Sequence, residues 1–387
     1  MVLRRLLVPA VLLAIPVFAA DPATGAGPCG YQAPPSPGPV VSAPSWEQRW
    51  LDLGRAHAFS TGGGVRVAIV GTGIDASHPQ LGAAVATGWD VTTNKPGARF
   101  DCNGHGTALA SIVAARAKGG SSLVGVAPAA TLVPVRVADA PPSAERQVTP
   151  ARLAAGIRQA VTLKARVIII GYALGSDDAG VRTAVADAVR KDVLVVAAVG
   201  DNLPKLTFPA AYDGVVGVGA IGTGGLLLSG SAVDSKVDLV APAENVVAAA
   251  RRSGHLTLSG TPVAAAVVGG AAALLRAYRP TWTAAQVAQR LTATADGGFG
   301  GGHSAAYGFG TVNPYRALTE QAATTGASPY WTPAPAALGH APPQPQWPDG
   351  WRRALAWAAG VGVLLVVFAV LGAAAPVMRR RRPDRLS

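Results

Sequence analysis

The sequence predicts an α/β fold, a parallel β-sheet covered by helices on both faces, plus one C-terminal transmembrane helix. Three observations predict it. Half of the 387 residues are hydrophobic, only 14% are charged, and Ala, Gly and Val dominate. That composition suits a large domain with parallel strands buried on both sides. Apolar strand-like runs alternate with helical stretches, the pattern of strand–helix–strand crossovers. Finally, Ala354 to Met378 is an uncharged, mostly apolar run of 25 residues followed directly by Arg379 to Arg382, long enough to span a bilayer with some tilt.

In chain order, residues 64–73 (GVRVAIVGTG) read as a buried strand ending in a glycine turn, and 105–117 (HGTALASIVAARA) have helical spacing. Residues 130–137 (ATLVPVRV) read as a strand. Residues 149–165 read as a helix, because Thr149 suits the N-cap and Pro150 the first helical position, where its missing N–H costs nothing. There follow a strand over 166–175 (RVIIIGYALG), a helix over 179–192 and a strand over 193–201 (VLVVAAVGD). Strands at 215–221 and 237–242 and a long apolar helix from about Pro262 complete the body, with no internal repeats.

The two ends read differently. In residues 1–20 (MVLRRLLVPAVLLAIPVFAA), Arg4 and Arg5 precede an apolar run that ends in small residues. This is the pattern of a secretory signal peptide cleaved near Ala19 or Ala20, with a retained signal anchor as the alternative. Residues 21–45 are a Pro-, Gly- and Ser-rich extension, 46–322 the folded body, and 323–353 a semi-rigid linker carrying seven prolines. Residues 354–378 are the expected membrane span, with a buried core helix as the alternative, and 379–387 a basic tail. Basic residues stay on the cytoplasmic side, which leaves the body outside a single-pass cell-membrane protein; Arg352 and Arg353 oppose this weakly.

The net charge of +12 reflects the ends. Setting aside nine terminal arginines with Asp349 and Asp384 leaves 24 basic against 19 acidic residues and no basic stripe with interleaved aromatics, so nucleic acid is not an expected partner. The two cysteines, Cys29 and Cys102, suggest one disulfide tying the extension to the body in an exported chain, the alternative being two free thiols. Six histidines and two cysteines show no zinc spacing. The glycine-rich stretches GAGPCG and GGFGGGH join no strand to a helix, so neither a metal nor a phosphate-bearing cofactor is expected.

The ordered segments carry a resemblance. GVRVAIVGTGIDASHPQL, DCNGHGTALASIVAA, GVAPAATLVPVRV, VLVVAAVGDN, FPAAYDGVVGVGAI, VDLVAPAENVVA and LSGTPVAAAVVGGAAALL resemble, in order, the segments of the subtilase family of subtilisin-like serine proteases. A signal peptide, a Cys-bearing Pro-rich extension, DCNGHGT, GFGTVNPYRALT and a Pro-rich linker before a C-terminal membrane helix are similar to the mycosins, membrane-anchored subtilases associated with type VII secretion. The resemblance implies a subtilisin-like fold.

It also implies a site in which an Asp orients a His, the His takes a proton from a Ser, and the Ser attacks a carbonyl. Here the Asp position is Gly71, within Gly71-Thr72-Gly73, and Asp75 reads as a turn residue. His105 is retained in His105-Gly106-Thr107. The Ser position is Pro262, which has neither a nucleophile nor a backbone N–H, although proline suits the first turn of a helix. Ser259 and Thr261 carry hydroxyls that the family geometry points elsewhere. The oxyanion-hole Asn position is Asp201, a carboxylate that repels a developing oxyanion, and Asn202 is displaced by one residue. Leu174 and Gly175 match the family's peptide-binding edge, which suits a peptide partner added as a strand. His78, beside Pro79, reads as structural.

These residues predict a catalytically degenerate member: a pseudoprotease serving a type VII secretion membrane complex as a structural or binding component. The alternatives are an active serine endopeptidase using displaced residues and a peptide-binding ectodomain unrelated to secretion.

Overall fold

The computed structural model describes residue 29 and residues 38–139, 148–203, 206–233, 236–297 and 303–320, all within the unit Met1–Ala322. The expected signal peptide, linker, membrane span and tail lie outside the described residues. The elements are α1 (Trp46–Trp50), α2 (Leu53–His57), β1 (Arg66–Gly71), β2 (Gly88–Asp90), β3 (Lys95–Gly97), α3 (His105–Ala114), β4 (Thr131–Arg136), α4 (Pro150–Thr162) and β5 (Val167–Ile170). They continue with α5 (Ala179–Arg190), β6 (Leu194–Ala198), β7 (Val215–Ile221), β8 (Leu239–Pro242), β9 (Val246–Ala249), β10 (His255–Leu258), α6 (Thr261–Tyr278), α7 (Ala284–Ala293) and α8 (Pro314–Thr319).

Eight strands form one sheet in the order β3-β2-β4-β1-β5-β6-β7-β8, and β9 and β10 make a separate hairpin. All neighbours in the large sheet are parallel except β2 and β3, which are antiparallel. The β-strands of the centre are continuous apolar runs because both faces are covered. Side chains alternate between two cores. Val67, Ile69, Val167 and Ile169 enter the core shared with α3 and α6. Ala68, Val70, Ile168 and Ile170 enter the one shared with α4 and α5.

Helix starts follow local chemistry. Thr149 caps α4 by accepting from the Arg152 N–H at 3.3 Å, with Pro150 in the first turn. Asp178 caps α5 through the Val181 N–H at 2.9 Å. The 18-residue α6 is long and apolar enough to cross a membrane, but it is buried from Thr261 to Arg276 as the central core helix. Two expectations are revised. The strand expected over 166–175 ends at Ile170, and Leu174 joins Phe208 through an isolated antiparallel bridge. The helices α1, α2, α7 and α8, the strands β2 and β3 and the β9–β10 hairpin add to the expected elements.

Candidate functional site

The site forms where β1, α3, the loop after β5, the loop after β6 and the start of α6 converge. β1 ends at Gly71, whose carbonyl accepts from the Val137 N–H at 2.9 Å. The next residue, Thr72, accepts the Gly106 N–H at 2.8 Å through its Oγ1, fastening the end of β1 to the first turn of α3. A β-carbon added at Gly71 would lie 3.8 Å from the Gly106 Cα and 3.7 Å from Ile69 Cγ2, in ordinary contact. Gly71 therefore borders the turn that carries His105.

His105 is the first residue of α3. The Asp101 carboxylate positions it from below: Oδ1 accepts from the Asn103 and Gly104 N–H groups at 3.1 and 2.8 Å, and Oδ2 from the N–H and hydroxyl of Thr107 at 2.8 and 2.7 Å. Asp101 is buried and fully used by this turn. Sequence reasoning misses it; the only signal is an Asp two residues ahead of Asn-Gly before a helix, the mark of a side chain that bonds its own loop. Gly104 takes φ 98°, a backbone that favours glycine, between them.

As a residue His105 is half-buried, yet its Nδ1 is sealed from solvent without a hydrogen bond. Burial pushes the imidazole down to about 4, against a smaller upward pull from Asp101. Burial, with the Asp101 charge, likewise raises the Tyr172 phenol. Across the site, a β-carbon added at Gly171 would stand 3.3 Å from the Pro262 Cβ and 3.5 Å from His105 Cε1. Proline ring and imidazole thus face one another over Gly171.

The start of α6 is closed by the chain itself. Asp201 accepts the Thr261 N–H at 2.9 Å through Oδ1 and 3.2 Å through Oδ2. Pro262 has no N–H, and the Val263 N–H donates to the Gly260 carbonyl at 3.1 Å. Asp201 is exposed as a residue, but its carboxyl turns inward: a β-carbon on Gly260 would lie 2.6 Å from its Oδ2. Burial raises the pKa of this carboxyl, partly offset by the bonds from Thr261. A helix N-terminus favours negative charge, and here the chain supplies that charge itself.

The other hydroxyls and carboxylates near the site are committed. Thr261 Oγ1 accepts from the Gly200 N–H at 3.1 Å, and Ser259 Oγ from the Asn245 N–H at 2.8 Å. Asp75 accepts from the Ser77 N–H at 2.9 Å and from the Arg252 N–H at 2.8 Å. Asn202 sits at φ 56° with its amide against Gly230 rather than α6. Leu174 exchanges both backbone bonds with Phe208, at 2.7 and 2.9 Å, so it offers no free backbone group to a peptide; Gly175 beyond it is exposed with open space around it. Cys29 and Cys102 form a disulfide three residues ahead of His105, and Arg251 Nη1 donates to the Cys102 carbonyl at 2.7 Å. Among the described residues no cluster of three His, Cys, Asp or Glu side chains could hold a metal ion.

A parallel sheet with this central helix, and a histidine at the head of α3 facing the head of α6, define a class. The chain belongs to the subtilase family, which matches residues 62–310. Within that family it is similar to Mycosin-1 of Mycobacterium tuberculosis (strain ATCC 25618 / H37Rv), 33% identical over 401 residues, covering 89% of this chain and 88% of that protein. Two solved structures are similar as well. The serine protease MycP1, an essential component of the type VII (ESX-1) secretion system, is 31% identical with TM-score 0.64, covering 73% of this chain and 92% of that one. The MycP3 protease from the type VII (ESX-3) secretion system is 29% identical with TM-score 0.64, covering 75% and 98%.

Proposed function

We propose that this chain is a membrane-anchored, extracytoplasmic pseudoprotease that serves a type VII secretion system as a structural or binding component. One observation carries the loss of peptidase chemistry: the head of α6 holds no nucleophile and no free donor. Pro262 stands where the serine is needed, the Thr261 N–H is taken by the Asp201 carboxylate, and that carboxylate repels an oxyanion. Losing one oxyanion donor costs about 10²–10³ in rate. Losing the serine costs about 10⁶ in subtilisin. Gly71 supplies no carboxylate to the unpartnered His105 Nδ1. The scaffold around these positions is intact, which supports a selected fold rather than a decaying one. Similarity to Mycosin-1, MycP1 and MycP3 supports the secretion role. The apolar run at 354–378 with its flanking arginines supports the anchor.

The test uses the full-length chain in detergent. It hydrolyses no fluorogenic peptide and forms no adduct with serine-directed phosphonates. Pro262→Ser alone stays at background, because the defects act on one unit and are non-additive. The triple change Gly71→Asp, Asp201→Asn and Pro262→Ser yields measurable hydrolysis. Tagged chain extracted from its own membranes brings down type VII channel proteins, and His105→Ala leaves that capture unchanged. Wild-type hydrolysis that disappears on His105→Ala overturns the pseudoprotease reading, and capture of no channel protein overturns the secretion role.

A further inference from the structure

Away from the site, residues 38–45 of the extension lie over two buried histidines. His78 and His255 are 1% and 3% exposed, with ring centroids 6.4 Å apart. The strap is held by backbone and imidazole together. The His255 N–H donates to the Pro39 carbonyl at 3.0 Å, and the Val41 N–H donates to His255 Nδ1 at 2.8 Å. Ser122 completes the grip, its N–H donating to the Val41 carbonyl at 3.0 Å and its Oγ to the Ala43 carbonyl at 2.6 Å. Gly38 and Gly254 pack backbone to backbone, and a β-carbon on either would collide with the other segment.

The hydrogen bonds decide where the protons sit. Gln80 Nε2 donates to the Arg116 and Leu123 carbonyls at 3.1 and 2.8 Å, which leaves its Oε1 to accept from His255 Nε2 at 2.8 Å. His255 Nε2 therefore carries the proton and Nδ1 the lone pair that receives Val41. His78 repeats the arrangement: Nε2 donates to the Gly254 carbonyl at 3.1 Å, and Nδ1 accepts from the Gln80 N–H at 3.2 Å. Both rings must be neutral. A proton added to His255 Nδ1 sets one N–H against another, and its charge would be buried beside a second imidazole.

We propose that His255 is an acid-released clasp: protonation of its Nδ1 frees the 38–45 strap from the body, leaving the extension tethered at the Cys29–Cys102 disulfide. Residues 38–44 contain no titratable side chain. The charged residues on the surrounding segments are Asp75, Arg116, Lys118, Arg251 and Arg252, and the Asp75 carboxylate is already engaged by Ser77 and Arg252. Burial lowers the proton affinity of both imidazoles; His78 adds to this at His255, while at His78 the Gly254 carbonyl and Asp75 pull upward and Lys118 downward. The sign follows: the clasped imidazole binds its proton less readily than an ordinary histidine of about 6.5, so the clasp is complete above that value and weakens as pH falls below it. One imidazole supplies at most about thirtyfold between pH 7.5 and 5.0.

The experiment is hydrogen–deuterium exchange of the full-length chain in detergent at pH 7.5 and 5.0, corrected for intrinsic rates. Peptides spanning 38–45 lose protection at pH 5.0, by no more than about thirtyfold, while β5 peptides do not change. His255→Asn presents a non-titrating oxygen to the Val41 N–H and removes that pH dependence. Equal strap protection at both pH values in the wild type overturns the clasp, as does a variant that keeps the full pH dependence. Should the variant fail to fold, the ¹⁵N shift of the His255 imidazole in the wild type decides: strap release and His255 protonation share one midpoint, and separate midpoints overturn the proposal.

Discussion

Gly71→Asp tests the correspondence on which the site rests without relying on activity. In the wild type His105 titrates at about 4, because burial disfavours its charge and its Nδ1 has no partner. The new β-carbon is accommodated, with contacts of 3.7 and 3.8 Å to Ile69 Cγ2 and the Gly106 Cα. From there a carboxylate reaches the first turn of α3. At about 5 Å and an effective dielectric near 20, opposite unit charges gain about 3 kcal/mol, slightly more than two pH units. The His105 midpoint is expected to rise from about 4 to roughly 6. The assay is the pH dependence of the His105 imidazole resonances by NMR, with circular dichroism confirming the fold at each end of the titration. A folded variant in which His105 still titrates near the wild-type value would refute the reasoning, since the introduced carboxylate would then not face the imidazole.

Two further expectations concern the extension and helix α1, which follows it. Mass spectrometry of non-reduced chain finds the Cys29 and Cys102 peptides linked. In Cys102→Ser, exchange in 38–45 rises before that of β5; the 73-residue separation caps the global loss at about 4 kcal/mol, and a uniform rise across both regions would contradict the tether. Glu47, on α1, is 5% exposed, with Ser45 Oγ donating to its Oε1 and no partner for Oε2. Burial raises its pKa, so its stability contribution holds below the ordinary carboxyl value and is lost as pH rises through the folded one. Between pH 5 and 8 the wild-type Tm falls relative to Glu47→Gln; parallel curves would show that Glu47 does not ionise in that range.

What the sequence determined by itself is what residue identity and short-range pattern can state. β1, β4, β6, β7 and β8 were legible as apolar runs because strands covered on both faces need no polar alternation. The start of α4 was legible because Thr149 and Pro150 act within one turn. The proposed chemical losses at Gly71 and Pro262 rest on residue identity rather than coordinates: no carboxylate and no hydroxyl stand at the positions that the surrounding segments point to. Only the tertiary structure decided how Asp201 is used. Its carboxylate bonds the Thr261 N–H sixty residues on and so closes the start of α6. The same holds for Leu174, whose edge is consumed by Phe208, and for His255, which meets Val41 across 214 residues. Each depends on which backbone groups the fold brings opposite one another. A hydrogen bond between distant segments leaves no period in the sequence, because its partners are chosen by the packing of the sheet and helices around them.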